Sequence, residues 1–179
     1  MHFLPSSLEI IKIPPGVIEI ESGAFRGCMK LVRVDLPNIA TIEECLFMDC
    51  ESLKGITLPS SITKIKKWAF CQCTSFEKIV IPELVYQIEK SVFDGCTSLD
   101  NVHVPSNVTK MEESVFKQCT SLNQVKFDAK IITLPKITFM DCFVLHCVDF
   151  TGADKVKRMR ESCFENCTHL RTIVLPPNL

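Results

Sequence analysis

The sequence predicts a solenoid, mostly β, of short parallel strands joined by loops and short tight turns. Three observations predict it: a phenylalanine column, a cysteine column three residues behind it, and a strand-like alternation that ends on proline. The phenylalanines are Phe25, Phe47, Phe70, Phe93, Phe116, Phe139 and Phe164, spaced 22, 23, 23, 23, 23 and 25 residues apart. The cysteines are Cys28, Cys50, Cys73, Cys96, Cys119, Cys142 and Cys167. A fixed period of this size marks stacked supersecondary units, each unable to hide its apolar side alone.

Each element of the unit follows from its residues. A third apolar column, Leu31, Leu53, Phe76, Leu99, Leu122, Leu145 and Leu170, precedes an alternating pair such as Val34 and Leu36 or Val102 and Val104. Alternation at period two is a strand signal. Proline follows at Pro14, Pro37, Pro59, Pro82, Pro105 and Pro176. It cannot donate to a ladder, so each strand is expected to be short and to stop there. Apolar residues then recur three apart, Ile62 and Ile65 followed by Phe70, Cys73 and Phe76. The rest of the unit has room for one turn of tight helix or a bent loop, not a full helix. Copies stacked about 4.8 Å apart would make a rod or shallow arc roughly 35 Å long. The unit at Val34 is one residue short after Pro37, and the unit at Val148 carries two extra residues around Gly152 to Lys155. Both changes fall in the turn after the strand, where they cost least.

The 179 residues, 46% of them hydrophobic, suffice for one domain with a sizeable core. Residues 1–179 therefore read as a single solenoid domain of about seven repeats, with partial repeats at both ends. The 20 basic and 21 acidic side chains nearly cancel, which argues against steering of nucleic acid or an anionic membrane. No apolar run approaches the roughly 18 residues needed to cross a bilayer, so membrane insertion is not expected. The opening stretch MHFLPSSLEIIKIPPG has neither the basic start nor the apolar middle of a secretory signal. With many unpaired cysteines, this points to a reducing, cytoplasmic setting, the peripheral cell surface being the alternative.

Eleven cysteines raise the questions of disulfides and zinc. Equivalent positions on adjacent coils present parallel side chains, which rarely give the roughly 90° dihedral of a disulfide. A column one ligand wide does not converge four ligands on zinc. A small thiol packed behind each phenylalanine is the simpler account. Cys45, Cys147 and Cys163 fall in different columns, Cys163 replacing the alanine before phenylalanine. Cys71 and Cys147 are expected to face outward and to be the most reactive. His2, His103, His146 and His169 occupy unlike repeat positions without a neighbouring nucleophile and acid. No Gly-rich phosphate loop is present among 6 glycines. No catalytic, metal-binding or cofactor-binding residue is assigned. The sequons at Asn107 and Asn166 are discounted as glycan acceptors, Asn107 standing where the unit wants a turn residue.

The unit L-x-x-V-x-L-P-x-x-V-x-x-I-x-x-x-A-F-x-x-C-x-x resembles that of the BspA-like leucine-rich repeat family. The stretches ITLPSSITKIKKWAFCQCTSF, IVIPELVYQIEKSVFDGCTSL and VHVPSNVTKMEESVFKQCTSL follow the family phrase almost position by position. The resemblance implies a right-handed leucine-rich-repeat solenoid, of the α/β class but mostly β, with its parallel β-sheet on the concave face and loops and short 3-10 turns on the convex face. It also implies a protein of the ligand-binding or adhesive kind, often surface displayed, with no catalytic residues to carry over.

Strand residues that point away from the core form two columns. One runs Ile10, Arg33, Gly55, Lys78, Asn101, Gln124, Cys147, Thr172; beside it run Lys12, Asp35, Thr57, Val80, His103, Lys126, Asp149, Val174. Arg33, Asp35, Lys78, His103, Gln124, Lys126 and Asp149 are the candidate partner-binding residues. The expected function is a non-enzymatic protein-interaction module that presents this face to a protein ligand in an adhesion or scaffold role. The alternative is a self-assembling repeat protein. Strands at Leu8, Ile11 and Ile13 and at Ile173 and Leu175 would leave both ends without polar caps, so homo-oligomers are expected.

Overall fold

The computed structural model describes residues 7–176. His2 lies outside them. The architecture is a β-solenoid of short parallel strands. In chain order these are β1 (Ile10–Lys12), β2 (Arg33–Asp35), β3 (Thr41–Ile42), β4 (Lys64–Ile65), β5 (Gln87–Ile88), β6 (Asn101–Val104), β7 (Lys110–Met111), β8 (Gln124–Phe127), β9 (Thr133–Leu134), β10 (Cys147–Asp149), β11 (Arg158–Met159) and β12 (Thr172–Val174). No helix occurs among the described residues, and none is long and apolar enough to cross a membrane.

The strand face is the one expected from the L-x-x-V-x-L alternation. It comprises β1 beside β2, then β6, β8, β10 and β12 in a four-stranded parallel sheet. Single bridges from Asn101 to Lys78 and from Lys78 to Gly55 continue the ladder back from β6 to the coil next to β2. Register is exact to the repeat: Val102 pairs with Val125, Val125 with Val148, and Val148 with Ile173. Proline limits strand length as predicted. Where Asp128 replaces it, the Asp128 N–H donates to Val104 O at 2.9 Å and the ladder gains a rung.

The Phe-x-x-Cys part of the segment after the proline is bent into turns as expected, but the part before it is extended from Thr41 onward in the chain. This extended part forms a second parallel ladder, β3-β4-β5-β7 and β9-β11, with Ile42, Ile65, Ile88 and Leu134 buried beneath it. This ladder breaks between β7 and β9 at Pro135. The equivalent N–H groups of Lys66, Glu89 and Glu112 donate to the preceding coil at 2.9–3.0 Å, and proline has no N–H to do so.

The convex side carries a third set of bonds between coils. In one coil Cys45, Phe47 and Asp49 donate to the carbonyls of Lys67, Ala69 and Cys71 at 2.8–3.1 Å, and the pattern recurs from Gly23 to Asp141. It depends on two left-handed residues per coil, such as Cys45 and Asp49 or Ser91 and Gly95, with φ between 53° and 75°. Each closes a single turn, Leu46 N–H to Glu43 O and Cys50 N–H to Phe47 O. The positive φ inside every turn stops it from continuing as a 3-10 helix.

Inside, the phenylalanines stack as predicted, with neighbouring ring centroids 5.4–5.6 Å apart and planes within 18°. Each fully buried ring contributes about 1.5–3 kcal/mol by transfer from water, and stacking adds roughly 0.5–1.5 kcal/mol. The cysteines do more than fill space. The thiols of Cys50, Cys73, Cys96, Cys119, Cys142 and Cys167 each donate to the phenylalanine carbonyl of the preceding coil, at 3.0–3.2 Å. That carbonyl already accepts an N–H within its own coil, as Phe70 O does from Cys73 N–H, so the thiol takes its second lone pair.

The two irregular coils absorb their changes locally. Where Pro59, Pro82 and Pro105 accept from the third residue on, Pro37 accepts from Ile39, the second residue on, at 2.9 Å. A γ-type turn thus replaces a β-turn and removes one residue. In the long coil two successive turns, Phe150 to Ala153 and Ala153 to Val156, take up the two extra residues.

Candidate interaction surface

In-register stacking sets equivalent outward residues of adjacent coils about 4.8 Å apart, so the strand face is a rigid lattice of side chains. All seven residues singled out from the sequence lie on it: Arg33, Lys78, His103, Gln124 and Lys126 are exposed, while Asp35 and Asp149 are half-buried. The structure divides six of them between two places, with Gln124 exposed between them.

Arg33, Asp35 and Lys78 border a broad open groove of about 1460 Å³. Gly55 and Thr57 lie at its centre, and Val80, Glu83 and Leu84 complete one wall. The groove has depth because Gly55 contributes no side chain to the column between Arg33 and Lys78. A Cβ there would stand 3.2 Å from Lys78 O, so glycine also permits the close approach of two backbones. The ladder is weakest here. No backbone hydrogen bond joins Val32–Leu36 to Lys54–Leu58, and this seam belongs to the coil shortened after Pro37. Arg33 grips Asp35 through Nε and an Nη at 3.0 and 3.3 Å. Lys54 pairs with Glu77 at 3.7 Å.

His103, Lys126 and Asp149 belong to the second place, centred on a residue that sequence reasoning missed. Asp128 accepts from His103 Nε2 at 2.7 Å and lies 3.4 Å from Lys126 Nζ. It is positioned by Gly152, where a Cβ would fall 2.0 Å from the Asp128 carboxylate. The signal was available: Asp128 stands where the repeat has proline. Next to it Asp149 accepts from the backbone N–H of Thr151 at 2.8 Å and from its hydroxyl. These bonds hold the Asp149 carboxyl below the usual range.

The cysteines require one correction. Cys71, expected to face outward, is buried at 7% exposure, and desolvation with nearby Asp94 pushes its thiol up to about 12. Its column holds Met48, Asp94, Lys117 and Met140, all half-buried, and the smaller cysteine sinks below them. Cys147 is half-buried. The sequon asparagines have structural partners: Asn107 Nδ2 donates to Glu83 O and Asn166 Nδ2 to Asp141 Oδ1, each at 2.7 Å.

The family model described as "BspA type Leucine rich repeat region (6 copies)" matches residues 2–123 and 86–179. The chain belongs to this family. None of the curated proteins compared with it matches. Among solved structures, the leucine-rich repeat protein TpLRR of T. pallidum is 28% identical with a TM-score of 0.83, over 90% of this chain and 78% of its own. A leucine-rich repeat protein from Bacteroides ovatus is 27% identical with a TM-score of 0.76, over 97% of this chain. One from Eubacterium ventriosum, at 21% identity and a TM-score of 0.65, shares the fold. This chain spans 54% and 56% of the length of the latter two. Repeats of this leucine-rich type typically serve protein interaction.

Proposed function

We propose that this BspA-type repeat protein is a non-enzymatic interaction module that presents its strand face to a protein ligand, in an adhesion or scaffold role. The observation that carries this reading is the groove over Gly55, a depression in the strand face whose wall includes the exposed Val80 and Leu84. Depth and exposed apolar surface at one place on a rigid sheet favour a docking surface over a uniformly solvated one. The test is crosslinking of the full chain in its native cell, with crosslinked positions mapped by mass spectrometry. The reading expects partner crosslinks on the strand face. It expects the combined change Lys78→Glu, His103→Ala and Lys126→Glu to abolish them without altering oligomeric state. Crosslinks confined to the convex turns would refute it.

A second reading, association with copies of itself, draws on the coil of β12, where Ile173, Val174 and Leu175 are 37–46% exposed. Light scattering across a concentration series separates the two, because self-association raises the apparent mass with concentration and Ile173→Lys abolishes the rise. A constant monomer mass rejects this second reading.

A further inference from the structure

We infer that the groove over Gly55 receives an extended segment of a partner protein in which a large apolar side chain lies between a carboxylate and a basic group. The apolar side chain sits on Val80 and Leu84, the carboxylate meets Lys78, and the basic group lies toward Glu83. This rests on the interaction reading above and narrows it to one site and one partner chemistry.

The charges decide the order. Six charged side chains line the groove, three of each sign. Arg33 is engaged with Asp35 and Lys54 with Glu77, whereas Lys78 and Glu83 have no ion-pair partner among the described residues. Since the six sum to zero, neither a polyanion nor a polycation is favoured. What is complementary is a segment carrying both signs, in the order that the two free charges impose. They flank Val80 along the chain and stand five residues apart, a span of at most about 18 Å. A short extended peptide matches that reach.

The apolar centre supports the same register. Val80 is 83% exposed and Leu84 56%, while the outward neighbours of Val80 on adjacent coils are the polar Thr57 and His103. A lone exposed valine is unremarkable. Val80, flanked by the two uncompensated charges, and Leu84, next to Glu83, put two exposed aliphatic residues on the wall of a depression and form an anchor site with a polar rim. Gly55 leaves backbone rather than side chain at the centre, so there is depth for a main chain as well as for the anchor.

The experiment pans a displayed library of random dodecapeptides against the full chain, and titrates the enriched peptides by fluorescence anisotropy. The enriched sequences are expected to share an acidic, a large apolar and a basic residue in series. Val80→Asp and Lys78→Glu, both at exposed positions, are each expected to weaken binding about tenfold or more. A peptide whose acidic residue is replaced by lysine is expected to regain affinity for Lys78→Glu. Circular dichroism melts establish that both variants are folded. Peptides that keep their affinity for these variants and lose it with His103→Ala or Lys126→Glu overturn the groove assignment but leave the strand-face reading standing. Peptides insensitive to every strand-face change overturn both. A library with no binder, or with binders lacking the shared pattern, also overturns the assignment.

Discussion

Raising the pH should unfold this protein through its thiols. Cys50, Cys71, Cys73, Cys96, Cys119 and Cys142 are all buried, and desolvation is the first cause that raises each thiol. For Cys50 and Cys71 the rise is from 9.0 to about 12. Below pH 9 such a thiol is protonated in both states and the full stability is present. Between about 9 and 12 the unfolded chain releases protons that the fold retains, so stability falls as pH rises. At about pH 10 the loss is roughly 1 kcal/mol for each of Cys50 and Cys71. The other four buried thiols shift in the same direction, so their losses add to this against the roughly 5–15 kcal/mol that holds a folded domain. Urea unfolding followed by circular dichroism, under reductant, at about pH 7.5 and about pH 10, measures the difference. The double variant Cys50→Ala, Cys71→Ala should show about 2–3 kcal/mol less pH sensitivity than the parent, whatever its stability at neutral pH. An unchanged urea midpoint, or thiolate absorbance of the folded protein showing these six thiols ionised near pH 9, would refute the reasoning.

Three further outcomes follow from the packing. Phe93, fully buried between Phe70 and Phe116, should cost about 3–5 kcal/mol on change to alanine, and the half-buried Phe164, stacked on Phe139 alone, about half as much in the same urea assay. Equal losses would contradict the nearest-neighbour picture of the stack. Ile137 is a β-branched residue at φ 59°, a strain of roughly 1–2 kcal/mol, so Ile137→Asn should stabilise the fold by about 0.5–1 kcal/mol; a lower melting temperature would speak against it. Cys147 should react with an aromatic disulfide reagent in the native state about tenfold faster than Cys71, and mapping the first adduct to Cys71 would reverse that assignment.

The parts of the fold legible in the sequence are those in which every coil uses the same chemistry. Phe and Cys recur because the hole they fill recurs, and the V-x-L strands recur because burial beneath one face demands alternation. Positions where the backbone, rather than the side chain, sets the requirement were not legible. The left-handed column is occupied by Gly23, Cys45, Trp68, Ser91, Ser114, Ile137 and Ser162, a set with no common residue type. What the first six share is an N–H that turns toward the next coil, and composition does not reveal that. The second ladder was hidden differently. Strands only two residues long show no alternation, and their buried isoleucines fall three residues from the preceding apolar position, which imitates a tight helix. Of the candidate surface, the two outward columns could be read from period two. The groove could not, because it depends on how far the coil shortened after Pro37 parts from its neighbour. Nor could Asp128, whose role appears only when Gly152 makes room for it in space.

These misses bear on where function can reside. A perfect repeat presents the same surface at every step along its axis, so a partner bound to one coil would fit the next equally well and no register would be defined. Specificity on such a scaffold therefore requires departures from the repeat, and the core restricts where they can occur. The stacked rings and thiols fix the inward columns, while turns and outward columns are free to vary. The strand face shows this selectivity. Its two departures in backbone, the residue lost after Pro37 and the residues gained at Gly152, each lie beside a departure in side chain: Gly55 in a column of larger residues, and Asp128 in a column of prolines. One pairing produces the groove and the other the His103–Asp128–Lys126 cluster. Restoring the repeat by inserting a residue after Pro37 should therefore close the seam between Val32–Leu36 and Lys54–Leu58 and remove the groove, with the phenylalanine stack left in place. Hydrogen exchange reads this directly, as new protection at Gly55 and Ile56. Persistently fast exchange there would separate the groove from the shortened coil and remove the link between irregularity and site.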